Sequence, residues 1–192
     1  LVAKNNGIKY EGAHSALFDS LMVLQVLSIV KKKQPNTWDH FLKTSSKADA
    51  ETIIRKENIL TLKEVHYGKF FTFLVSPLNS KSCINPYNKC GVCIDLKFNI
   101  EPLLNLSVSE LKKETKKKKF LRQIRLNKGP IFLDYSYGFK EEPYSSIDPE
   151  LIKKRAEMVK NNEKFNENLL SVLRENAEEK EQTKSQEDLF DE

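Results

Sequence analysis

Residues 14–33 read as a helix with apolar residues on all sides, since no Gly or Pro interrupts the chain until Pro35. Ser15 is placed to cap the helix, and Lys31, Lys32 and Lys33 stand where a helix C-terminus favours cations. Leu17, Leu21, Leu24 and Val26 share this segment with Phe18, Met22 and Ile29 on several faces, so the helix is expected to pack inside a larger layered domain. Gln34-Pro35-Asn36 breaks it and sets the first expected domain boundary. Shorter helices are predicted from Trp38 to Lys43 and from Lys47 to Lys56.

From Leu62 the pattern changes. Val65 to Tyr67, Phe70 to Val75, Val92 to Leu96, Phe120 to Leu126 and Ile131 to Tyr135 are short β-favouring runs separated by Gly, Pro, Asn and Ser clusters. They predict a small antiparallel barrel or sandwich. Ser107 and Glu110 have the spacing of a capping box at the start of a short helix that runs to Lys113. Asp148-Pro149 is an N-cap followed by Pro at the first helical position, which opens a helix over Leu151 to Val159. A last helix through Phe165, Leu169, Val172 and Leu173 follows, and beyond Asn176 the acidic, polar sequence reads as a linker.

Hydrophobic residues at 39% and charged ones at 31% describe a chain with enough apolar material for a core. The longest apolar stretch, Leu21 to Val30, is about half of what spans a bilayer, so no membrane class is called for. The chain opens with no charged segment leading into an apolar one and a cleavage site, and its start at Leu1 implies missing upstream residues. Cys83, Cys90 and Cys93, an odd number, make no disulfide framework and fit a reducing cytoplasm. Net charge is +5, but residues 175–192 alone carry −6, which leaves +11 on the rest. A basic body suits a polyanion such as nucleic acid; 27 Lys against five Arg is equally what a Lys-rich composition places on any surface.

One constellation bears on chemistry. With Ser15 as cap, His14 sits on the entry loop and Asp19 in the first helical turn, so both can face one cavity, whereas inside one helix they would lie about 140° apart. Two-metal phosphodiester hydrolysis needs carboxylates to hold the metals and a group of near-neutral pKa to deprotonate water; Asp19 suits the first role and His14 the second. Taken alone, the spacing is more simply a loop His and a capping Asp. Cys83, Cys90 and Cys93, with His66 as an imaginable fourth ligand, give half of a zinc pattern, but Cys93 lies in an apolar run that would bury it. The lysines from Lys112 to Lys119 can follow a DNA backbone or form a solvated connection. Among the aromatics of the β region most are expected in the core, since Phe71 and Phe73 share one face; Tyr67 and Lys69 are the candidates for a DNA-binding surface.

The run Gly7-Ile8, Ala13-His14-Ser15-Ala16, Asp19, an apolar helix and Gln34-Pro35 resembles the last motif of DnaQ-like 3′–5′ exonucleases of the DEDDh type. More particularly it resembles the exonuclease I family, in whose order follow Val65-His66, Ser76-Pro77-Leu78, Ile94-Asp95-Leu96, Pro102-Leu103-Leu104, Asn127-Lys128-Gly129-Pro130 and Leu173-Arg174-Glu175-Asn176. The resemblance implies an α+β chain. Residues 1–34 would be the end of an RNase H-like exonuclease domain, 35–147 an SH3-like β domain, and 148–192 a helical segment leading into a C-terminal helical domain. It also implies a monomeric, cytoplasmic, Mg2+-dependent enzyme with two ions, degrading single-stranded DNA from its 3′ end in repair and recombination. His14 is then catalytic, Asp19 a metal ligand, and Arg174 part of a site for the C-terminal tail of single-stranded DNA-binding protein. The family's other metal-binding carboxylates do not match anything in this chain, which is therefore expected to be inactive by itself, and residues 139–146 depart from the family pattern. The competing expectation is a non-catalytic, basic SH3-like module that binds nucleic acid or protein.

Overall fold

The computed structural model describes residues 2–8 and 15–188 of the 192. The chain divides into two compact units, Leu1–Lys43 and Thr44–Glu192.

The first unit holds α1 (Val2–Asn5), α2 (Ala16–Lys33) and α3 (Pro35–Lys43). Ser15 caps α2 by accepting from the Phe18 amide, and the three lysines fill its last turn. Gln34 ends α2 and Pro35 opens α3 at once, because Pro lacks the amide that a first helical position leaves unbonded anyway. Neither helix buries a residue within the described structure, and Leu17, Val23, Leu24 and Phe41 are more than half exposed.

The second unit begins with α4 (Lys47–Lys56) and then forms five strands: β1 (Leu60–His66), β2 (Lys69–Pro77), β3 (Gly91–Asp95), β4 (Leu121–Ile124) and β5 (Ile131–Leu133). They make one antiparallel sheet in the order β4-β3-β2-β1-β5. Although β2 and β3 lie between β4 and β1, Arg122 of β4 reaches Glu64 of β1 at 3.7 Å, so the sheet bends back on itself.

Side chains alternate across β2, which gives the sheet two packed faces. Phe73 and Val75 join one core with Val92, Ile94, Phe120 and Leu126; Leu74 joins a second with Leu96, Tyr144, Ile152 and Ala156. α5 (Val108–Lys117) carries the capping box formed by Ser107 and Glu110, and α6 (Tyr135–Gly138) is a single turn capped by Asp134. α7 (Pro149–Asn161), capped by Asp148, covers the second core through Ile152 and Ala156. α8 (Glu163–Asp188) supplies Phe165, Leu169, Val172 and Leu173 to the first.

Two expectations need correction. Residues 177–188 continue α8 where a linker is expected. Lys112 of α5 holds Glu175 and Glu179, one turn apart on α8, at 2.7 Å each, so the acidic stretch is tied down by a residue more than sixty positions away. Phe70 and Phe71, expected among the core aromatics, are 74% and 42% exposed. The β1–β2 ladder runs to His66↔Lys69, but β5 pairs β1 only through Lys63 and β3 pairs β2 only from Val75, so the far end of the hairpin outruns its neighbours. Phe73, closer to the base, is buried as expected.

Behind the hairpin lies a buried ionic network. Asp95, inaccessible to solvent, accepts from the Tyr144 hydroxyl at 2.6 Å and pairs with Arg122 at 3.5 Å and Lys97 at 3.6 Å. The Arg122 guanidinium also lies 3.5 Å from the centroid of the Phe73 ring. β4 is thereby locked to β1, to β3 and to the residues before α7.

Candidate nucleic-acid interface

The hairpin turn is Tyr67-Gly68, with φ of 51° and 74°. Two consecutive left-handed residues are what a two-residue connection between right-twisted strands requires. Gly68 adopts this freely; for Tyr67 it is strained by about 1–3 kcal/mol. An aromatic is thus held at a position that backbone preference would give to Asn or Gly, with its ring entirely in solvent. Lys69, Phe70 and Phe71 are exposed beside it, and Val65, register partner of Phe70, is half exposed. The hairpin end therefore presents aromatic faces next to a cation, the combination on which unpaired bases stack.

A groove of about 460 Å³ runs along the base of this hairpin. Lys63, Glu64 and Val65 of β1 form one wall; Arg125, Lys128 and Pro130, from the end of β4 and the turn after it, form the other. Glu64, its one carboxylate, is engaged by Arg122, and Lys63 by Glu141 at 3.2 Å. The side chains of Arg125 and Lys128 make no hydrogen bond or ion pair with described residues, and both are exposed. The turn that presents them is a 3-10 segment, Leu126–Lys128, anchored by buried Leu126 and closed by Gly129 at φ 58°. Phe70 was legible as an aromatic but not as a surface residue, and Arg125 has no sequence signal of its own; its position depends on β4 facing β1.

Of the other predicted residues, Asp19 lies in the first turn of α2 with its amide donating to the Ser15 carbonyl at 2.9 Å. His14 lies outside the described residues. Among the described residues no group of three or more His, Cys, Asp or Glu side chains is arranged to hold a metal. They do not fit a two-metal site, to which Asp19 offers a single carboxylate. Cys83 and Cys93 are buried as small hydrophobes, while Cys90 is partly exposed; burial raises the pKa of all three thiols. Arg174 is exposed on α8, 3.9 Å from Glu178. Lys112 stands over α8 as described, and Lys117 and Lys118 both reach Glu114, so these members of the lysine run are already partnered.

The described fold is α+β, a bent antiparallel sheet covered by helices, and this is the arrangement found in part of solved structures of a DNA exonuclease. The particular protein that the chain resembles is exodeoxyribonuclease I. It is 24% identical over 191 residues to that of Buchnera aphidicola, covering 91% of this chain, and 26% identical over 147 residues to that of Haemophilus influenzae, covering 68%. It spans 44% and 30% of the length of these two relatives. Among solved structures, the zinc-bound form of the E. coli ExoI–ssDNA complex matches with a TM-score of 0.59 at 21% identity, over 88% of this chain and 39% of that one. An ExoI/SSB-Ct complex matches with a TM-score of 0.59 at 20% identity, over 88% and 38%. No protein-family model matches the chain.

Proposed function

We propose that this chain is the single-strand-holding part of a 3′–5′ exodeoxyribonuclease of the exonuclease I kind, an enzyme that hydrolyses single-stranded DNA to mononucleotides with two Mg2+ ions. The observation that carries the reading is the exposed aromatic hairpin beside a groove bearing unpartnered Arg125 and Lys128. Similarity to exodeoxyribonuclease I over most of the chain supports it. Tyr67 and its neighbours would stack on bases while the groove cations follow the backbone, which selects an unpaired strand over a duplex.

Residues 1–34 we assign to the end of the catalytic domain, with His14 as general base and Asp19 as metal ligand; 35–147 form the SH3-like domain and 148–192 the start of the helical one. The acidic tail of single-stranded DNA-binding protein would dock at Arg174, and the free thiols fit the cytoplasm.

Replacing Tyr67 by Ala should weaken binding of a dT oligonucleotide by about 1–3 kcal/mol, fivefold or more, and leave duplex binding nearly unchanged. Fluorescence anisotropy with both ligands decides this, and equal binding of duplex and single strand by the unaltered chain would favour a plain basic surface.

The 192 residues alone should release no nucleotides from 3′-labelled single strands in Mg2+, because one carboxylate cannot hold a pair of ions. Cleavage abolished by Asp19→Asn would show the active site to be complete in this chain and the assignment of residues 1–34 to be wrong. Binding without cleavage is also what the second reading, a non-catalytic nucleic-acid-binding module, requires.

A further inference from the structure

A second recess, of about 530 Å³, adjoins the groove and shares Arg125 and Lys128 with it. Lys47 at the start of α4 forms one side, Asn88, Lys89 and Cys90 before β3 another, and Arg125, Asn127 and Lys128 the third. Among the described residues four cations and two amides line it, and no carboxylate does.

The recess is built rather than incidental. Its three walls meet on one packed point. Ile54 of α4 and Leu126 of the turn close over Gly91, where an added Cβ would lie 2.3 Å from Ile54 Cδ1 and 3.2 Å from Leu126 Cδ2. Only glycine lets α4 and the turn approach β3 this closely, so Lys47 and Arg125 are carried by elements that cannot move apart without opening the core. The loop wall is fixed as well: Asn88 donates to Gln123 at 2.8 Å and accepts from the Cys90 amide at 3.0 Å, and Lys89 Nζ holds the Pro86 carbonyl at 2.8 Å. Lys47 leans on Glu51 at 3.5 Å. Among the described residues, Arg125, Lys128 and the Asn127 amide have no side-chain hydrogen-bond or ion-pair partner.

We infer that this recess seats a phosphodiester group of a single strand as the strand leaves the hairpin groove, with Arg125 and Lys128 as the direct contacts and Lys47 and Lys89 supplying field. The inference rests on the reading of the groove as a single-strand interface. An oxyanion with several acceptor oxygens suits a planar guanidinium beside an ammonium and an amide, and the shared residues make groove and recess one continuous track.

The test measures binding of a labelled dT oligonucleotide to the full 192-residue chain at several salt concentrations. Each lost phosphate contact lowers the slope of log K against log salt by about 0.7 on a single strand, so Arg125→Gln/Lys128→Gln should lower it by about 1.4. The control pair Lys140→Gln/Lys154→Gln makes the same change in net charge outside the recess and should leave the slope unaltered. Both target side chains are exposed, so melting should not change. An unaltered slope, or an equal fall in the control, overturns the recess assignment together with the part given to Arg125 and Lys128 in the groove; if Tyr67→Ala still weakens binding, the stacking part of the interface reading survives it. No binding by the unaltered chain overturns both. Tight capture of inorganic phosphate by the recess, with the oligonucleotide slope unchanged, overturns the assignment to a strand.

Discussion

Replacing Asp95 by Ala is expected to destabilise the strand-rich unit by about 3–5 kcal/mol, the usual consequence of removing one partner from a buried ion pair. The carboxylate is solvent-inaccessible and serves three partners from different elements. Without it the Tyr144 hydroxyl loses its acceptor, and Arg122, whose Nε is already without a hydrogen-bond partner among the described residues, is left largely enclosed with only the longer 3.7 Å pair to Glu64. Tyr144→Phe removes one hydrogen bond to a charged acceptor and should cost about 1.5–3 kcal/mol. Urea unfolding followed by circular dichroism reads both, and a midpoint unchanged by Asp95→Ala would mean that the network is ornamental. Alkaline pH offers an independent check. Burial first, then the Asp95 charge, raises the Tyr144 pKa well above its ordinary value. The contribution of this phenol is therefore full below pH about 10, where the unfolded residue is still protonated, and is lost as pH rises further. Tyr144→Phe should flatten that decline.

The larger kinetic effect is expected at the mouth of α2. In a chimaera with the H. influenzae relative that restores a full-length exodeoxyribonuclease, Asp19→Asn would remove the proposed metal-binding charge and His14→Ala the proposed base. Each should lower turnover by roughly a hundredfold or more, with single-strand binding preserved. Near-normal cleavage by both variants at saturating Mg2+ would refute their roles. Measuring binding and turnover on the same preparations separates a chemical defect from loss of structure.

The local features were the legible ones. Ser15, the Ser107–Glu110 box and Asp148-Pro149 mark helix starts within a few residues, and the structure has helices beginning at each. The β-favouring runs correspond to five strands because β-branched and aromatic residues flanked by turn formers favour extended backbone over short stretches. What escaped depends on partners distant in the chain. Residues 177–188 look like a linker until Lys112 is brought against them, and Phe70 looks like core until β3 and β5 are seen to end short of it. Asp95 stands in a recognisable Ile94-Asp95-Leu96 run, yet its burial against Tyr144 and Arg122 is a property of the bent sheet. The groove was illegible for the same reason, since Arg125 comes to line a groove with β1 only once the sheet has bent.

The clasp between α5 and α8 also bears on how a strand would arrive. Where Glu175 and Glu179 enclose Lys112, and Glu114 holds Lys117 and Lys118, positive and negative charge cancel at close range. Among the described residues Arg125 and Lys128 have no such counterweight. The recess is consequently a positive face of the strand-rich unit, and an approaching polyanion would be drawn toward that face before it makes a contact. Encounters would be oriented while the strand is still within about a Debye length, roughly 8–10 Å at ordinary salt, so added salt should slow capture of a strand more than it hastens release.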